Sequence, residues 1–491
     1  MSSARLLRPR ALQALTTTTT TTTAGRNIGS MAATNAGIQK AMGDISSVFP
    51  SLSGVKIPPL PTRFAAIKSQ LIGHNKTALE HSWRRLLPAL SSRIDEIHHT
   101  GPSIIPSIPF TALSQPLSPS TLAAIKKAGA VHIRQVLPPS LALSLKSATQ
   151  SYIDANSPRV RAFPKDSPAV YELYWSPPQV AARSHPNLLS TQRWLQNLWH
   201  SSSPSTKIST THTLTYADRL RIRLPGDAGF ALGPHVDGGS LERWEDPTYS
   251  RVYSKVWRGA WEEYDPFDAA HRVDARMDLY NGAGACAMFR MFQGWLSLSS
   301  TGPGEGTLKL FPALKEATAY WLMRPFMNAD GRVEEPAQAR FEGAAMGACQ
   351  ELSEELHPHL RLAEGMVSIP RVEPGDYVAW HCDTIHSVDR EHKGVSDASV
   401  FYIPTTPLTK SNAEYLKRQK EAALTGGVPP DFPGAGQPGV GEAGFEGCVQ
   451  WEKEAASGRE MGMGTKGWEV MEGMAEGEKE AVREANQAMG W

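Results

Sequence analysis

A histidine and an aspartate two positions apart, enclosed by turn-forming residues, constrain this chain more than any other feature. The sequence of residues 233–239 is Gly-Pro-His-Val-Asp-Gly-Gly, with His235 and Asp237 at its centre. In an extended strand, residues i and i+2 point to the same side. The imidazole and the carboxylate can therefore reach one metal ion if this segment is a strand. The pair alone is weak evidence, because the same spacing occurs by chance in ordinary strands.

A third ligand has to come from a later part of the chain. Mononuclear iron sites in oxygenases use two histidines and one carboxylate and leave coordination positions open. Residues 375–381 are predicted to form an aromatic strand, and a polar turn and then His386 follow. We take His386 as the first choice for the third ligand and His381 as the second.

Short segments with alternating or continuous apolar residues, separated by Gly and Pro, predict a β-barrel or sandwich. The clearest strand candidates are residues 131–137, 219–224, 288–298, 306–311, 375–381 and 398–403. Helical spacing over residues 63–99 predicts helices before this core, and another helix is expected from Pro407 to about residue 424. The expected fold is mainly β with helical additions.

Four regions follow from these patterns. We expect a low-complexity or targeting tail over residues 1–50 and an N-terminal helical layer over 51–128. The core domain is expected over 129–424, with long helical insertions at 245–280 and 313–366. Residues 425–491 are predicted to form a Gly/Pro-rich loop and a C-terminal helical tail.

Composition excludes several classes of protein. The formal net charge is +1, which gives no global basic bias of the kind expected for nucleic-acid binding. No apolar run of about 18 residues exists, so no membrane span is predicted. The four cysteines form no CxxC pair, which favours a reducing compartment, by default the cytoplasm.

The first 43 residues have the composition of an organelle transit peptide. They contain five basic residues, no acidic residue and an unbroken run of eight threonines from Thr16 to Thr23. A basic, hydroxyl-rich and acid-poor terminus is typical of mitochondrial targeting. A low-complexity tail without a targeting role is the alternative interpretation.

Longer stretches around the His-Val-Asp segment resemble a known family. Between about residues 129 and 424 the chain resembles the YbiU-like family of uncharacterised proteins, in the phytanoyl-CoA dioxygenase-like branch of the Fe(II)/2-oxoglutarate oxygenases. The stretches that carry the resemblance are residues 218–223, 232–240, 264–272, 289–295 and 380–388.

The resemblance implies a double-stranded β-helix, or jelly-roll, core. It also implies iron held by His235, Asp237 and His386, with 2-oxoglutarate as cosubstrate and dioxygen as oxidant. The implied activity is hydrogen abstraction from a small-molecule substrate of unknown identity.

One departure from the superfamily concerns the cosubstrate. Related oxygenases usually carry an Arg or Lys on the strand after the distal histidine, where it binds the far carboxylate of 2-oxoglutarate. Residues 398–403 contain no cation. Arginine side chains suit carboxylates because they can donate two parallel hydrogen bonds. The candidates for a substitute cation are Arg221, Arg223 and Arg290, and Ser387 or Ser399 could add a hydrogen bond.

Other interpretations of these residues stay open. Each arginine could instead be a surface residue or part of an ion pair with Asp218 or Asp227. Asp383 could orient His386 through its second ring nitrogen, and His381 could support the site or simply pack. For the whole chain, the alternatives are a cupin-like metalloenzyme without a keto acid and a non-catalytic jelly-roll binding protein.

Overall fold

The computed structural model describes residues 39–54, 56–229, 231–451 and 458–491. Residues Gln39–Trp491 form one compact unit. Most of the predicted tail, residues 1–38, lies outside the described residues. Within the described ranges, no helix combines the length and the apolar character that a bilayer crossing requires.

Helices account for more residues than strands, so the chain is a mixed α/β protein with several sheets. This finding corrects the mainly-β expectation. The helices are α1 (Pro50–Ser53), α2 (Arg63–Ile72), α3 (Lys76–Thr100), α4 (Pro119–Ala128), α5 (Pro139–Ala155), α6 (Pro177–Arg183), α7 (Pro186–Gln196), α8 (Glu242–Glu245), α9 (Pro247–Val252), α10 (Ser254–Trp257), α11 (Leu314–Met323), α12 (Leu362–Gly365), α13 (Lys410–Thr425) and α14 (Glu476–Met489).

The strands are short, as the sequence predicts. They are β1 (Ser107–Pro109), β2 (Ala130–Arg134), β3 (Ala162–Phe163), β4 (Val170–Tyr171), β5 (Ser209–Leu214), β6 (Leu220–Arg223), β7 (His235–Val236), β8 (Phe292–Ser297), β9 (Leu308–Leu310), β10 (Gln350–Glu351), β11 (Val367–Ser368), β12 (Tyr377–His381), β13 (His386–Val388), β14 (Ala398–Tyr402) and β15 (Thr406–Leu408).

Two larger sheets and one two-stranded ribbon contain these strands. The eight-stranded sheet has the order β1-β2-β12-β8-β14-β6-β4-β3, the five-stranded sheet has the order β10-β7-β13-β9-β11, and β15 pairs with β5. Apart from the parallel β1–β2 pair, these strands pair antiparallel. The chain passes from one larger sheet to the other at each step from β6 to β9 and again from β12 to β14.

The N-terminal helices form because apolar residues recur at helical spacing. Leu79, Trp83, Leu86 and Leu90 of α3 are all buried, and the Trp83 ring stacks on Tyr320 of α11 at a centroid distance of 5.2 Å. The main apolar core extends from these helices to both larger sheets. A second core lies around α13 and α14.

The two predicted insertions lie between β7 and β8 and between β9 and β12. The first contains the short helices α9 and α10. The second was expected to be largely helical, but it is helical mainly near its ends, at α11 and α12. None of residues 327–357 is helical, and about half of them form turns and bends. Gly331, Pro336, Gly343 and Gly347 interrupt this segment, and both residue types disfavour helix interiors.

Candidate metal centre

His235, Asp237 and His386 meet on one side of the five-stranded sheet. His235 on β7 pairs directly with His386 on the antiparallel strand β13, and their ring centroids are 4.1 Å apart. Directly opposed residues share a face of the sheet. Asp237 Oδ1 lies 3.6 Å from His235 Nε2, and Asp237 Oδ2 lies 3.7 Å from His386 Nε2. The three candidate ligand atoms all lie within 4.8 Å of one another.

Backbone carbonyls determine which ring nitrogen of each histidine is free. His235 Nδ1 is 2.7 Å from the carbonyl oxygen of Gly233, and His386 Nδ1 is 3.0 Å from that of Thr384. A carbonyl oxygen only accepts, so each Nδ1 carries the hydrogen and donates it. Each Nε2 therefore keeps its lone pair and is available as a ligand atom.

The charge states of His386 and Asp237 suit a cation. Burial, together with the neighbouring His235, lowers the pKa of His386 to about 3. Burial alone would raise the pKa of Asp237, but His386, His235 and Arg290 outweigh that effect, so its pKa is lowered. A neutral imidazole beside an ionised carboxylate is the form that binds metal. Two imidazoles and one carboxylate form the donor set of non-haem Fe(II) oxygenases, so these residues fit iron.

The triad opens into a cavity of about 100 Å³ whose walls combine arginines with aromatic rings. Phe49 meets the His235 ring edge-on at a centroid distance of 4.8 Å. Other lining residues include Asp218, Arg219, Arg221, Arg290, Gln293, Trp295, Trp380, Tyr402 and Phe432.

The three candidate arginines have different surroundings. Arg221 and Arg290 both line the cavity, and both are almost fully buried. Neither guanidinium makes a hydrogen bond or ion pair with any residue that the structure describes. Arg223 is also buried, but its Nε is 2.6 Å from Asp227 Oδ2, and its Nη1 donates to the Asp389 carbonyl at 2.7 Å. Arg223 is therefore part of an ion pair and is not a wall of the cavity.

The two candidate serines do not line the cavity. The Ser399 hydroxyl donates to Asp397. Ser387 follows His386 on β13, and successive strand residues point to opposite faces, so its side chain points away from the metal ligands.

His381 is not available as a ligand. Its Nε2 donates to the Pro266 carbonyl at 2.9 Å, and its Nδ1 accepts from the Asp383 backbone N–H at 3.0 Å. The ring stacks on Trp199 at 4.7 Å. His381, Cys382 and Asp383 also place candidate ligand atoms close together, but both nitrogens of His381 are already used.

Asp383 was predicted to orient His386. It does not do so, because His386 Nδ1 bonds the Thr384 carbonyl instead. Asp383 Oδ2 lies 2.6 Å from Arg272 Nη2, and the carboxylate accepts hydrogen bonds from Tyr253 and Tyr264. Burial would raise the pKa of Asp383, but Arg272 and other nearby cations lower it overall. The ion pair with Arg272 holds the Asp383 carboxylate away from His386.

Sequence reasoning missed Arg243, which holds the turn after β7. Its Nη2 donates to the Asp237 carbonyl at 2.6 Å and its Nη1 to the Gly239 carbonyl at 2.5 Å. The same Nη2 lies 3.8 Å from Asp383 Oδ1. Arg243 thereby links the segment of Asp237 to the turn that precedes His386. No spacing rule pointed to it.

Sequence reasoning also missed Arg219 and the aromatic walls. Arg219 precedes Arg221 by two residues, so the period of the strand could have placed it on the same face. The aromatic residues come from segments far apart in the sequence, and no local signal marks them.

These features define a mixed α/β protein with a candidate His-Asp-His metal centre in an arginine-lined cavity. Residues 58–463 match the family model described as Gig2-like. The chain therefore belongs to the Gig2-like family.

Individual relatives agree with this family. The chain is 36% identical over 320 residues to Uncharacterized protein YbiU of Escherichia coli (strain K12), covering 63% of this chain and 74% of that protein. The structure of GlcNAc Inducible Gene 2 from Candida albicans has a TM-score of 0.80 and 32% identity, covering 89% of this chain and 96% of the other. The "Putative Oxidoreductase" from Salmonella typhimurium LT2 has a TM-score of 0.72 and 30% identity, covering 88% and 99%. The predicted kinship with YbiU is confirmed; the phytanoyl-CoA dioxygenase-like placement stays a prediction.

Proposed function

We propose that this chain is a non-haem Fe(II)- and 2-oxoglutarate-dependent oxygenase that acts on a small molecule by hydrogen abstraction. One observation carries the proposal: His235, Asp237 and His386 turn three free ligand atoms toward one point beside a cavity. The relative called an oxidoreductase supports the same class of reaction.

Strand order supports a jelly-roll core. Eight strands, β6 to β9 and β11 to β14, divide into two groups of four. Numbered along the chain, the first, third, sixth and eighth lie in one sheet, and the others lie in the second. Eight strands in two sheets are the architecture of a jelly roll. In this core, His235 lies on the second strand, Asp237 directly follows that strand, and His386 lies on the seventh.

Arg221 is the residue that we assign to the far carboxylate of 2-oxoglutarate. His386 packs against Trp380, at a centroid distance of 5.2 Å, and Trp380 pairs with Gln293 on β8. Strand β14 lies between β6 and β8, and its Val400 pairs with Arg221 on one side and with Ser297 on the other. Arg221 is therefore level with Ser297, which is four residues after Gln293 on β8. Four residues of strand span roughly 13 Å. An arginine on the strand beside β14 thus replaces the cation that β14 lacks.

Arg221 has the properties of an anion ligand. It is 3% exposed, and its Nε has no hydrogen-bond partner among the described residues. A buried unpaired guanidinium is costly, and a bound carboxylate removes that cost.

Each part of the site has a role in this scheme. His235, Asp237 and His386 hold the metal, Arg221 orients the cosubstrate, and rings such as Phe49 and Trp380 exclude water. Iron with 2-oxoglutarate and dioxygen supplies the oxidising chemistry when bound, while the protein supplies position and electrostatics.

Cosubstrate binding tests the proposal. Protein loaded with Fe(II) under anaerobic conditions is titrated with 2-oxoglutarate, and the visible metal-to-ligand charge-transfer absorption is recorded. We expect a saturable band in wild type and in His98→Ala, which changes an exposed histidine of α3, and no band in His235→Ala.

Two other results would contradict the proposal. Iron binding through His235 without the band would favour a metalloenzyme that uses no keto acid. Failure of wild type to bind Fe(II) would favour a non-catalytic binding protein.

A further inference from the structure

Arg290 is a second buried cation that the proposed reaction does not yet use. It lies two residues before β8 and is 5% exposed, and it lines the cavity that holds the metal ligands. Its guanidinium lies over the Tyr216 ring, 5.4 Å from the centroid. A contact with the face of a ring leaves the in-plane N–H donors free. No hydrogen bond or ion pair satisfies them within the described chain.

The charges of the cavity leave Arg290 without a permanent counter-ion. The lining contains three guanidiniums, those of Arg219, Arg221 and Arg290, and two carboxylates. Asp218 pairs with Arg219, with 3.3 Å between Oδ1 and Nε. The second carboxylate, Asp237, is assigned to the metal. Burial alone would lower the pKa of Arg290, but Asp237 and Asp218, among other groups, raise it without contacting the guanidinium. If 2-oxoglutarate binds Arg221, Arg290 is the lining guanidinium whose N–H donors still have no acceptor among the described residues.

Arg290 and Arg221 lie on opposite sides of the metal ligands. The row of Trp380 and Gln293 marks the level of His386 on the eight-stranded sheet. Arg290 precedes Gln293 by three residues. Arg221 is level with Ser297, which follows Gln293 by four residues. In agreement with this order, Arg290 is among the cations that lower the pKa of Asp237. This order favours separate anions for the two arginines.

We propose that Arg290 binds an oxyanion group of the substrate, a carboxylate, phosphate or sulfate. This inference rests on the proposed function and adds the substrate class to it. The guanidinium forms paired, charge-assisted hydrogen bonds with such a group. The remainder of the molecule is then held between Arg290 and the metal, on the side of the metal away from Arg221.

Sulfate is the probe that tests this site. It is titrated calorimetrically into protein loaded with Mn(II) and saturated with 2-oxoglutarate, so that the cosubstrate occupies Arg221. The variants are Arg290→Gln, Arg290→Lys, Arg221→Gln and, as a control on the exposed end of β2, Arg134→Gln. The charge-transfer titration with Fe(II) and 2-oxoglutarate is run on each variant in parallel.

We expect one sulfate per chain in wild type and in Arg134→Gln. Arg290→Gln weakens sulfate binding by about tenfold or more, as expected for the loss of a charged hydrogen-bond pair. The charge-transfer titration of Arg290→Gln stays unchanged. Arg290→Lys keeps the charge and recovers part of the affinity, which excludes simple misfolding. Arg221→Gln weakens 2-oxoglutarate binding but keeps the sulfate site that depends on Arg290.

Three outcomes would overturn the inference: no sulfate binding in wild type, binding that Arg290→Gln does not change, or loss of the charge-transfer band in Arg290→Gln. The last would assign Arg290 to the cosubstrate. Sulfate binding that depends on Arg290, in a protein that shows no charge-transfer band, would instead support the oxyanion site and contradict the proposed function.

Discussion

At the scale of single residues, the candidate site depends on which nitrogens of its histidines are already bonded. The sequence predicts His235 and Asp237 from the period of a strand. It ranks His386 ahead of His381, which lies five positions earlier, but it does not show which of the two rings is free to bind metal. That choice depends on hydrogen bonds made after folding. The Pro266 carbonyl and the Asp383 N–H use both nitrogens of His381, and the Nε2 of His386 remains free.

Replacing the two histidines separates their roles. We expect His386→Ala to reduce Mn(II) affinity by about a hundredfold or more, because a ligand is lost and ligand supports alone are worth 10–100-fold. His381→Ala keeps one Mn(II) per chain but lowers the free energy of unfolding by about 2–4 kcal/mol through a cavity and unpaired groups. Calorimetric titration and urea unfolding measure the two effects. Equal loss of metal in both variants would contradict the assignment.

Glu242, in the short helix after the Asp237 turn, gives a pH-dependent prediction. It is 1% exposed, and burial raises its pKa to about 7. The folded state therefore holds this proton at pH values where the unfolded state has lost it, so wild type loses stability as pH rises from about 4.5 to 7. Glu242→Gln has no such loss.

Urea unfolding of the metal-free proteins measures this difference. Between pH 5 and pH 8, the stability of Glu242→Gln relative to wild type should rise by up to about 3 kcal/mol. Glu414→Gln, which changes an exposed carboxylate of α13, should show no trend. A difference that is constant or falls with pH would contradict the buried, protonated state of Glu242.

At the scale of elements, a buried network joins the two segments that carry the metal ligands. We call Arg243, Tyr253, Tyr264, Arg272 and Asp383 the loop network. Arg243 bonds the turn after β7, and Asp383 lies in the turn before β13. Each of these side chains is at most 2% exposed. The network therefore fixes the distance between β7 and β13 at the end where their ligands meet.

Arg243→Met tests the loop network. The carbonyls of Asp237 and Gly239 lose their donor, so we expect a 10–100-fold loss of Mn(II) affinity, as for other groups that support ligands. Arg93→Met removes a buried arginine of α3 that bonds the Pro312 carbonyl. It should lower stability without changing metal affinity. If both variants changed metal affinity equally, the effect would reflect general destabilisation and the role of the network would be refuted.

The elements themselves differ in how well the sequence predicts them. Each of the six predicted strand segments contains a strand, from β2 to β14, because burial imposes a period or an apolar run of several residues. β13 was missed: residues 386–388 were placed after a polar turn, and three residues are too few to show a period. The helical segment at residues 63–99 divides at Gly73, whose φ of +51° favours glycine over other residues.

At the scale of the whole molecule, the cavity unites distant parts of the chain. Phe49 lies near the start of the described residues, Arg221 and Arg290 lie near the middle of the chain, and Phe432 follows α13. The fold class was only partly predictable, because apolar periodicity identifies strands and helices but not which strands pair. The candidate ligands could be predicted because they are local or carry a family resemblance. The network and the aromatic walls could not, because their contacts exist only after the sheets have formed.

A crystal structure of the protein with Mn(II) and 2-oxoglutarate tests the central claim most directly. We predict one metal ion bonded at roughly 2.0–2.2 Å to His235 Nε2, His386 Nε2 and an oxygen of Asp237, with the far carboxylate of 2-oxoglutarate on Arg221. A metal ion bound elsewhere in the chain, or a fourth protein ligand that fills the open positions of this centre, would contradict the account.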